Sequence, residues 1–181
     1  MIIKLKQNLF GGIDMHKMTE KNLRDAFSGE SEAHMKYLIF SDIAEREGKP
    51  NVARLFRAVA EAEKAHAAHH LRLIGGIADT GENLKEALSG ETFEVEEMYP
   101  AYDAAAKLQD EKAAQRSIDY ALKAEKIHAD MYKKASDKVG KGEDIEIDKI
   151  YVCTICGHTR EGSALDRCPV CGAGSDKFKE F

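Results

Sequence analysis

The chain has 181 residues, which corresponds to one domain or slightly more. Hydrophobic residues make up 43% of it and charged residues 33%, enough apolar material for a core and too much charge for a membrane span. The net charge of −5 leaves no basic surplus to neutralise phosphates, which argues against nucleic acid as a partner. We therefore expect a soluble globular protein.

The ends of the sequence indicate a cellular compartment. Near the N-terminus, Lys, Gln, Asn and Gly residues interrupt the apolar positions, so no signal peptide or anchor is readable. All four cysteines lie between Cys153 and Cys171, a clustering more typical of one metal site than of a disulfide framework. We expect a reducing, cytoplasmic location.

Four segments carry apolar residues at a period near 3.5, and each predicts an amphipathic helix. The first helix follows Thr19 as its N-cap and ends near Glu47; the second runs from Pro50 to Gly75–Gly76, the third from about Asn83 to Leu108 and the fourth from about Glu111 to Val139. Pro100 lies inside the third helix and cannot donate to the carbonyl of Glu96, so we expect a bend there.

Each apolar stripe is interrupted near its middle by a glutamate: Glu30, Glu63, Glu94 and Glu125. Because a buried, unpaired carboxylate is costly, four that converge in one bundle require a cation between them. Histidines follow two of them in Glu-x-x-His motifs, at His66 and His128, a spacing that presents both side chains on one helix face. Di-iron and di-manganese carboxylate bundles use this ligand set.

Three further side chains could serve this site. Glu97 lies three residues after Glu94 and is either a surplus ligand or an acid outside the metal's ligand set. Tyr37 and Tyr102 follow Glu30 and Glu94 by seven and eight residues, and they either hydrogen-bond ligands or peroxide or belong to the core.

The helical pattern stops after residue 140. Residues 141–149 form a charged linker, and the remaining 150–181 are too few to hold a core without a metal. Two Cys-x-x-Cys pairs, Cys153/Cys156 and Cys168/Cys171, predict a tetrahedral site for iron or zinc. The expected organisation is an N-terminal extension over 1–18, a helical bundle over 19–140, the linker, and a metal-binding domain over 150–181.

An ordered set of motifs from Thr19 to Phe181 resembles the rubrerythrin family. The set comprises Gly-Glu-Ser-Glu-Ala-His at 29–34, Glu-Val-Glu-Glu-Met-Tyr-Pro at 94–100, both Glu-x-x-His motifs and a rubredoxin-like tail. The resemblance implies a mainly α fold, in which a four-helix ferritin-like bundle precedes a small rubredoxin-like domain. It also implies three Fe per chain, one di-iron site and one Fe(Cys)4 site, with Zn as a possible substitute.

The resemblance further implies roles for residues and an activity. Glu30, Glu63, Glu94, Glu125 and His128 would be permanent iron ligands, Glu97 a ligand of the oxidised site and His66 of the reduced site. The activity would be reduction of hydrogen peroxide to water in oxidative-stress defence, with electrons from NAD(P)H through a separate reductase or rubredoxin. The alternatives are a ferroxidase that handles iron, and a partner-binding bundle with a structural zinc ribbon.

The short connection between the second and third helices predicts a homodimer. In a ferritin-like bundle these two helices run parallel, so the connection must climb the length of the bundle. The nine steps from Ile74 to Asn83 span only about 30 Å, which falls short of the climb. We therefore expect two chains to exchange helix pairs, unless the third helix begins only at Ser89–Gly90.

Overall fold

The computed structural model describes residues 15–181. Its elements, in chain order, are α1 (Lys17–Arg46), α2 (Pro50–Leu73), α3 (Thr80–Phe93), a π-helical turn (Glu94–Met98), α4 (Tyr99–Leu108), α5 (Lys112–Val139), β1 (Ile150–Cys153), β2 (Thr159–Glu161), a 3₁₀ turn (Ser175–Lys177) and β3 (Phe178–Glu180). The third predicted helix comprises α3, the π turn and α4. The mainly α fold with a small C-terminal sheet is therefore confirmed. No helix among the described residues is long and apolar enough to cross a membrane.

The chain divides into two compact units, and the first, which ends at Ala78, contains the hairpin of α1 and α2. Its helices approach closely because small side chains fill their contact. Ala53, Ala60 and Ala67 are buried at seven-residue intervals along α2, and Ser41 and Ala44 are buried on α1. Gly48, at φ +70°, allows the tight turn between the helices.

The larger apolar side chains of this hairpin remain exposed within its own unit. Met35, Ile39 and Phe40 of α1 and Val52 and Leu55 of α2 each expose two fifths or more of their surface. Contiguous exposed apolar residues of this kind usually mark an interaction surface. The first unit therefore has apolar faces that its own two helices do not cover.

The second unit, from Asp79 onward, packs α3 and α4 along α5. Asp79 caps α3 by accepting a 3.0 Å hydrogen bond from the N–H of Glu82. The predicted bend at Pro100 takes the form of the π turn, in which the Tyr99 N–H donates to the Glu94 carbonyl, five residues back.

The small C-terminal sheet has the strand order β2-β1-β3, with both pairs antiparallel. Three cysteines, Cys153, Cys156 and Cys168, are buried at its centre, and Tyr120 of α5 packs against them. Residues 141–149, between α5 and β1, contain no helix or strand. This sheet and α5 thus belong to the same unit.

Two predicted helix starts need correction. Helix α1 begins at Lys17 with His16 at its N-cap, so Thr19 lies inside the first turn. Helix α3 begins at Thr80 rather than Asn83, because Asp79 supplies the cap. The predicted extension over 1–18 falls mostly on residues 1–14, which lie outside the described residues.

The close α1–α2 contact predicts the effect of enlarging one of its alanines. Ala60 is fully buried, so Ala60→Leu should overpack the hairpin and lower the free energy of unfolding by about 1–3 kcal/mol. The matched control is Ala58→Leu, two residues away and exposed, which should leave stability nearly unchanged. Urea unfolding followed by circular dichroism measures both, and equal effects would contradict the described contact.

Candidate metal centres

Among the described residues of the first unit, Glu30 of α1 lies with Glu63 and His66 of α2 in a cluster of metal-ligating side chains, here called the first triad. Nδ1 of His66 lies 2.9 Å from Oε2 of Glu63 and 4.0 Å from Oε1 of Glu30. The two motif residues meet because positions three apart share a helix face. Glu30 reaches them across the contact between α1 and α2.

The second unit contains an equivalent cluster, Glu91 of α3 with Glu125 and His128 of α5, here called the second triad. Nδ1 of His128 lies 2.6 Å from Oε2 of Glu125 and 3.9 Å from Oε2 of Glu91. Nε2 of the same ring lies 2.8 Å from the hydroxyl of Thr159. Each triad thus offers two carboxylates and one imidazole nitrogen.

The second triad has more negative charge than its surroundings can neutralise. Burial, together with the neighbouring carboxyl groups of Glu125 and Glu94, raises the pKa of Glu91 to about 7. Burial and the charge of Glu125 also raise the pKa of Glu94. Oε2 of Glu91 is buried and has no hydrogen-bond partner. A bound cation would neutralise the carboxylates and occupy that oxygen, so the side chains present fit a metal ion.

The glutamate that the third predicted helix contributes to the triad is not the one predicted from sequence. Glu91, not the predicted Glu94, lies with Glu125 and His128, while Glu94 is close enough for its charge to act on Glu91. Glu97 is exposed and lies beside Phe93 in a surface depression. The structure therefore does not bring Glu97 to the triad, and the predicted exchange between Glu97 and His66 has no support from its position.

The π turn accounts for the separation of Glu97 from Glu94. In an α-helix Glu94 and Glu97 would share a face, but both lie in the turn Glu94–Met98, where bonds from each residue to the fifth before it widen the helix. The extra residue was detectable in the spacing. Glu30 and Glu63 are 33 residues apart, and Glu91 and Glu125 are 34 apart, one more, whereas Glu94 and Glu125 are only 31 apart.

The same extra residue changes which tyrosine belongs to the site. Burial and the charges of Glu94, Glu125 and Glu91 raise the pKa of Tyr99. The predicted Tyr102 is 54% exposed and meets the ring of Tyr99 edge-on. Sequence reasoning missed Tyr99, although it follows Glu91 by eight residues, one more than Tyr37 follows Glu30.

Tyr37 itself lies among aromatic residues of the hairpin. Its ring centroid is 6.1 Å from that of Phe56 and 6.3 Å from that of Phe40. These contacts are aromatic packing, and the predicted hydrogen bond from Tyr37 to a ligand or to peroxide stays a prediction.

The four cysteines form the third cluster, and their sulfur atoms all lie within 4.8 Å of one another. Sγ of Cys153 is 3.6 Å from that of Cys171, and Sγ of Cys156 is 3.5 Å from that of Cys168. Metal–sulfur bonds of about 2.3 Å in a tetrahedron separate sulfurs by about 3.8 Å, so the arrangement fits one ion.

Backbone N–H groups around the sulfurs favour the thiolate form. Burial alone would raise the pKa of Cys168, but N–H donors of Cys171 and Val170 outweigh it and lower that pKa to about 7. Burial raises the pKa of Cys156, and the backbone N–H of His158, which lowers that pKa, only partly offsets the effect. A cation that neutralises four thiolates would remove this burial cost.

Two family models match the chain. The rubrerythrin model matches residues 21–136, and the model of the rubrerythrin rubredoxin-like domain matches residues 151–179. The chain belongs to the rubrerythrin family. The resemblance inferred from the motifs is thereby confirmed, and so is the ferritin-like fold with a rubredoxin-like domain.

Individual relatives agree along nearly their whole length. Rubrerythrin-2 of Clostridium acetobutylicum is 40% identical over 178 residues, which cover 91% of this chain and 97% of the relative. Nigerythrin of Nitratidesulfovibrio vulgaris is 31% identical over 90% of this chain and 86% of its own. A solved structure of partially reduced nigerythrin has 28% identity and a TM-score of 0.53, covering 99% of this chain and 98% of that one.

The family and the side-chain clusters together establish the cofactors. Rubrerythrins are iron-dependent oxidoreductases, and this chain has both the carboxylate and histidine residues for a di-iron site and the four cysteines for an Fe(Cys)4 site. The expected cofactors are thus confirmed.

The position of Glu91 leads to a test of the ligand set. Glu91→Gln removes a charged oxygen from the second triad and should weaken Fe(II) binding at the carboxylate site about tenfold or more, a cost of about 1.4 kcal/mol or above. Glu97→Gln is the matched control, because Glu97 is exposed and should leave binding unchanged. Anaerobic calorimetric titration gives both affinities. A larger loss of Fe(II) affinity in Glu97→Gln than in Glu91→Gln would instead support Glu94 and Glu97, the pair of ligands predicted from sequence.

Proposed function

We propose that this protein reduces hydrogen peroxide to water at a di-iron site composed of one first triad and one second triad. Electrons would come from NAD(P)H through a separate reductase or rubredoxin and enter at the Fe(Cys)4 site. The observation that carries the proposal is the pair of equivalent triads, each with two carboxylates and one imidazole. Six such ligands can hold two iron ions and leave coordination positions open to a small oxygen substrate.

Iron supplies redox chemistry at both sites, cycling between Fe(II) and Fe(III). The triads hold the ions, with Glu30, Glu63 and His66 from one half and Glu91, Glu125 and His128 from the other. The cysteine site offers four ligands and no open position, which suits it to passing single electrons rather than to binding substrate. Solved structures of nigerythrin, titled as mixed-valence, partially reduced and fully reduced with all iron ferrous, support redox cycling in that relative.

Glu94 adds a carboxylate that the six-ligand scheme does not need. An additional negative charge would offset the greater positive charge of the oxidised site, while the neutral imidazole of His66 suits the reduced site. Glu94 therefore takes the role that the sequence assigned to Glu97.

Tyr99 is suited to hold a proton beside the site. Reduction of one hydrogen peroxide to two waters consumes two protons and two electrons. A tyrosine keeps its hydroxyl proton at neutral pH, and burial together with the surrounding carboxylates raises the pKa of Tyr99 further. That hydroxyl can donate a hydrogen bond to an oxygen atom of the substrate or of a ligand carboxylate.

A single-turnover experiment tests the proposed activity. Reduced, iron-loaded protein is mixed with hydrogen peroxide or with O₂ in a stopped-flow instrument, and we expect reoxidation by peroxide to be at least about tenfold faster, equivalent to about 1.4 kcal/mol of barrier. Cys168→Ser is the control for electron entry: it should abolish steady-state turnover with NADH and reductase while leaving the reaction of the reduced carboxylate site intact. Faster oxidation by O₂ would favour the ferroxidase alternative, and zinc in the cysteine site despite ample iron would remove the electron-transfer role.

We further propose that each di-iron site combines triads from two chains. In a ferritin-like bundle α2 and α3 would run parallel with Glu63 and Glu91 level. Glu63 lies ten residues before Leu73, and Glu91 lies eleven after Thr80, so the connection would climb about 32 Å at 1.5 Å per residue. The seven steps from Leu73 to Thr80 reach only about 25 Å fully extended.

The early start of α3 strengthens this argument, because a start at Ser89–Gly90 would have lengthened the connection. If two chains exchange their α1–α2 hairpins, the connection between α2 and α3 no longer has to span the bundle. The exposed residues of the hairpin, such as Ile39 and Leu55, would then pack against the other chain. The dimer, the exchange and the reductase remain parts of this proposal, as do the domain limits 19–140, 141–149 and 150–181.

Complementation between two defective chains tests the exchange. Glu63→Ala damages the first triad and Glu125→Ala the second, so neither homodimer should form an intact di-iron site. A heterodimer with exchanged hairpins combines the two unmutated triads and should regain one site of two, measured as iron content of tagged, purified heterodimers. Heterodimers without any regained site would show that each chain completes its own sites.

A further inference from the structure

Thr159 occupies an unusual place for a hydroxyl group. It is the first residue of β2, only 6% of it is exposed, and among the described residues only Ser41 is a comparably buried polar residue. Its neighbour across the packing contact is His128 of the second triad, 31 residues earlier on α5. A buried hydroxyl at this position requires hydrogen-bond partners, and it has two.

The two hydrogen bonds of Thr159 have a defined direction. Its hydroxyl donates to the carbonyl oxygen of Gly157 at 2.9 Å, and a carbonyl can only accept. When the hydroxyl proton points to Gly157, the oxygen of Thr159 is an acceptor on the side of His128. In that arrangement Nε2 of His128, 2.8 Å away, donates to it.

This direction determines which nitrogen of His128 is left for a metal. With the proton on Nε2, the lone pair of a neutral imidazole is on Nδ1. Nδ1 faces Glu125 and Glu91, at 2.6 and 3.9 Å, and without a cation it donates to the Glu125 carboxylate. A cation held by Glu91 and Glu125 would take the place of that proton on Nδ1. Hydrogen bonds to the second nitrogen commonly orient a ligating histidine and increase its basicity.

The segment that leads to Thr159 also contains two of the cysteines, Cys153 and Cys156. Gly157 follows Cys156 directly, and its N–H donates to the carbonyl of Cys153. Gly157 also lies against α5, since a Cβ atom there would come within 3.7 Å of the Ala124 methyl group. The hydrogen bonds from His128 to Thr159 to Gly157 therefore end in the backbone of the cysteine loop.

We propose that Thr159 is a positioning residue: it fixes His128 with Nε2 protonated and Nδ1 directed to the metal, and it joins the cysteine loop to the second triad within one chain. The inference rests on the proposed function only in taking the second triad as a metal site. Its test therefore uses metal binding and proton exchange, so that a failure of peroxide reduction would leave it standing.

The experiment compares Thr159→Val with Thr159→Ser in full-length protein loaded with zinc alone at both sites. Valine keeps the shape and removes the hydroxyl, whereas serine keeps the hydroxyl and removes the methyl group. In the wild-type and Ser proteins, the Nε2 proton of His128 should give a slowly exchanging NMR signal, and in the Val protein the signal should broaden or disappear. Zinc affinity of the carboxylate site, measured by chelator competition, should fall about tenfold or more only in the Val protein.

Two results would overturn the inference. One is an unchanged Nε2 proton signal and zinc affinity in Thr159→Val, which would mean that the hydroxyl does not position the ring. The other is an equal loss of the proton signal and of zinc affinity in Thr159→Ser, which would assign the effect to packing of the methyl group. If the Val protein loses zinc from the cysteine site, Thr159→Ala gives the same comparison, because it removes the hydroxyl without placing a second methyl group beside Gly157.

Discussion

Carboxylates held close together and shielded from water repel each other, and the structure around α5 depends on how this repulsion is relieved. Glu91 without a cation relieves it by binding a proton up to about pH 7, which is far above the ordinary range of a glutamate. With a cation the same oxygens become ligands, and the energy lost in the metal-free state is regained on binding. The partial burial of these acids therefore fits a protein that binds a metal ion at this place.

Local motifs are the part of this site that the sequence predicts well. Glu63 with His66 and Glu125 with His128 lie three residues apart on uninterrupted helices, so their shared face follows from helix geometry alone. The cysteine pairs are equally local, and their sulfurs lie at distances that fit one tetrahedral ion. The mainly α fold follows from the same periodicity. In each case the distance along the chain determines the distance in space.

The third helix shows where such reasoning fails. The π turn adds one residue to the helix between Glu91 and Tyr99, so Tyr99, and not the predicted Tyr102, lies near the acids of the site. Glu91 itself precedes the turn and takes the place predicted for Glu94. Helical periodicity assumes a constant rotation per residue and has no means of locating the turn. Pro100 indicated that the backbone changes nearby, but not on which side of it or in which direction. The contact of Thr159 with α5 is beyond sequence reasoning for another reason, since it depends on packing between distant segments.

The two triads are alike in composition but not in surroundings. The first triad lies on a hairpin, and in the single chain the side chain of its histidine, His66, is largely exposed. The second triad has the additional carboxylate Glu94, the protonated Tyr99 and, through Thr159, a connection to the cysteine loop. In the proposed reaction, proton and electron supply would belong to the second half, because both depend on short distances that must not vary. The two halves thus provide similar ligands, while the additional carboxylate, the tyrosine and the hydrogen bond to the cysteine loop lie beside the second triad.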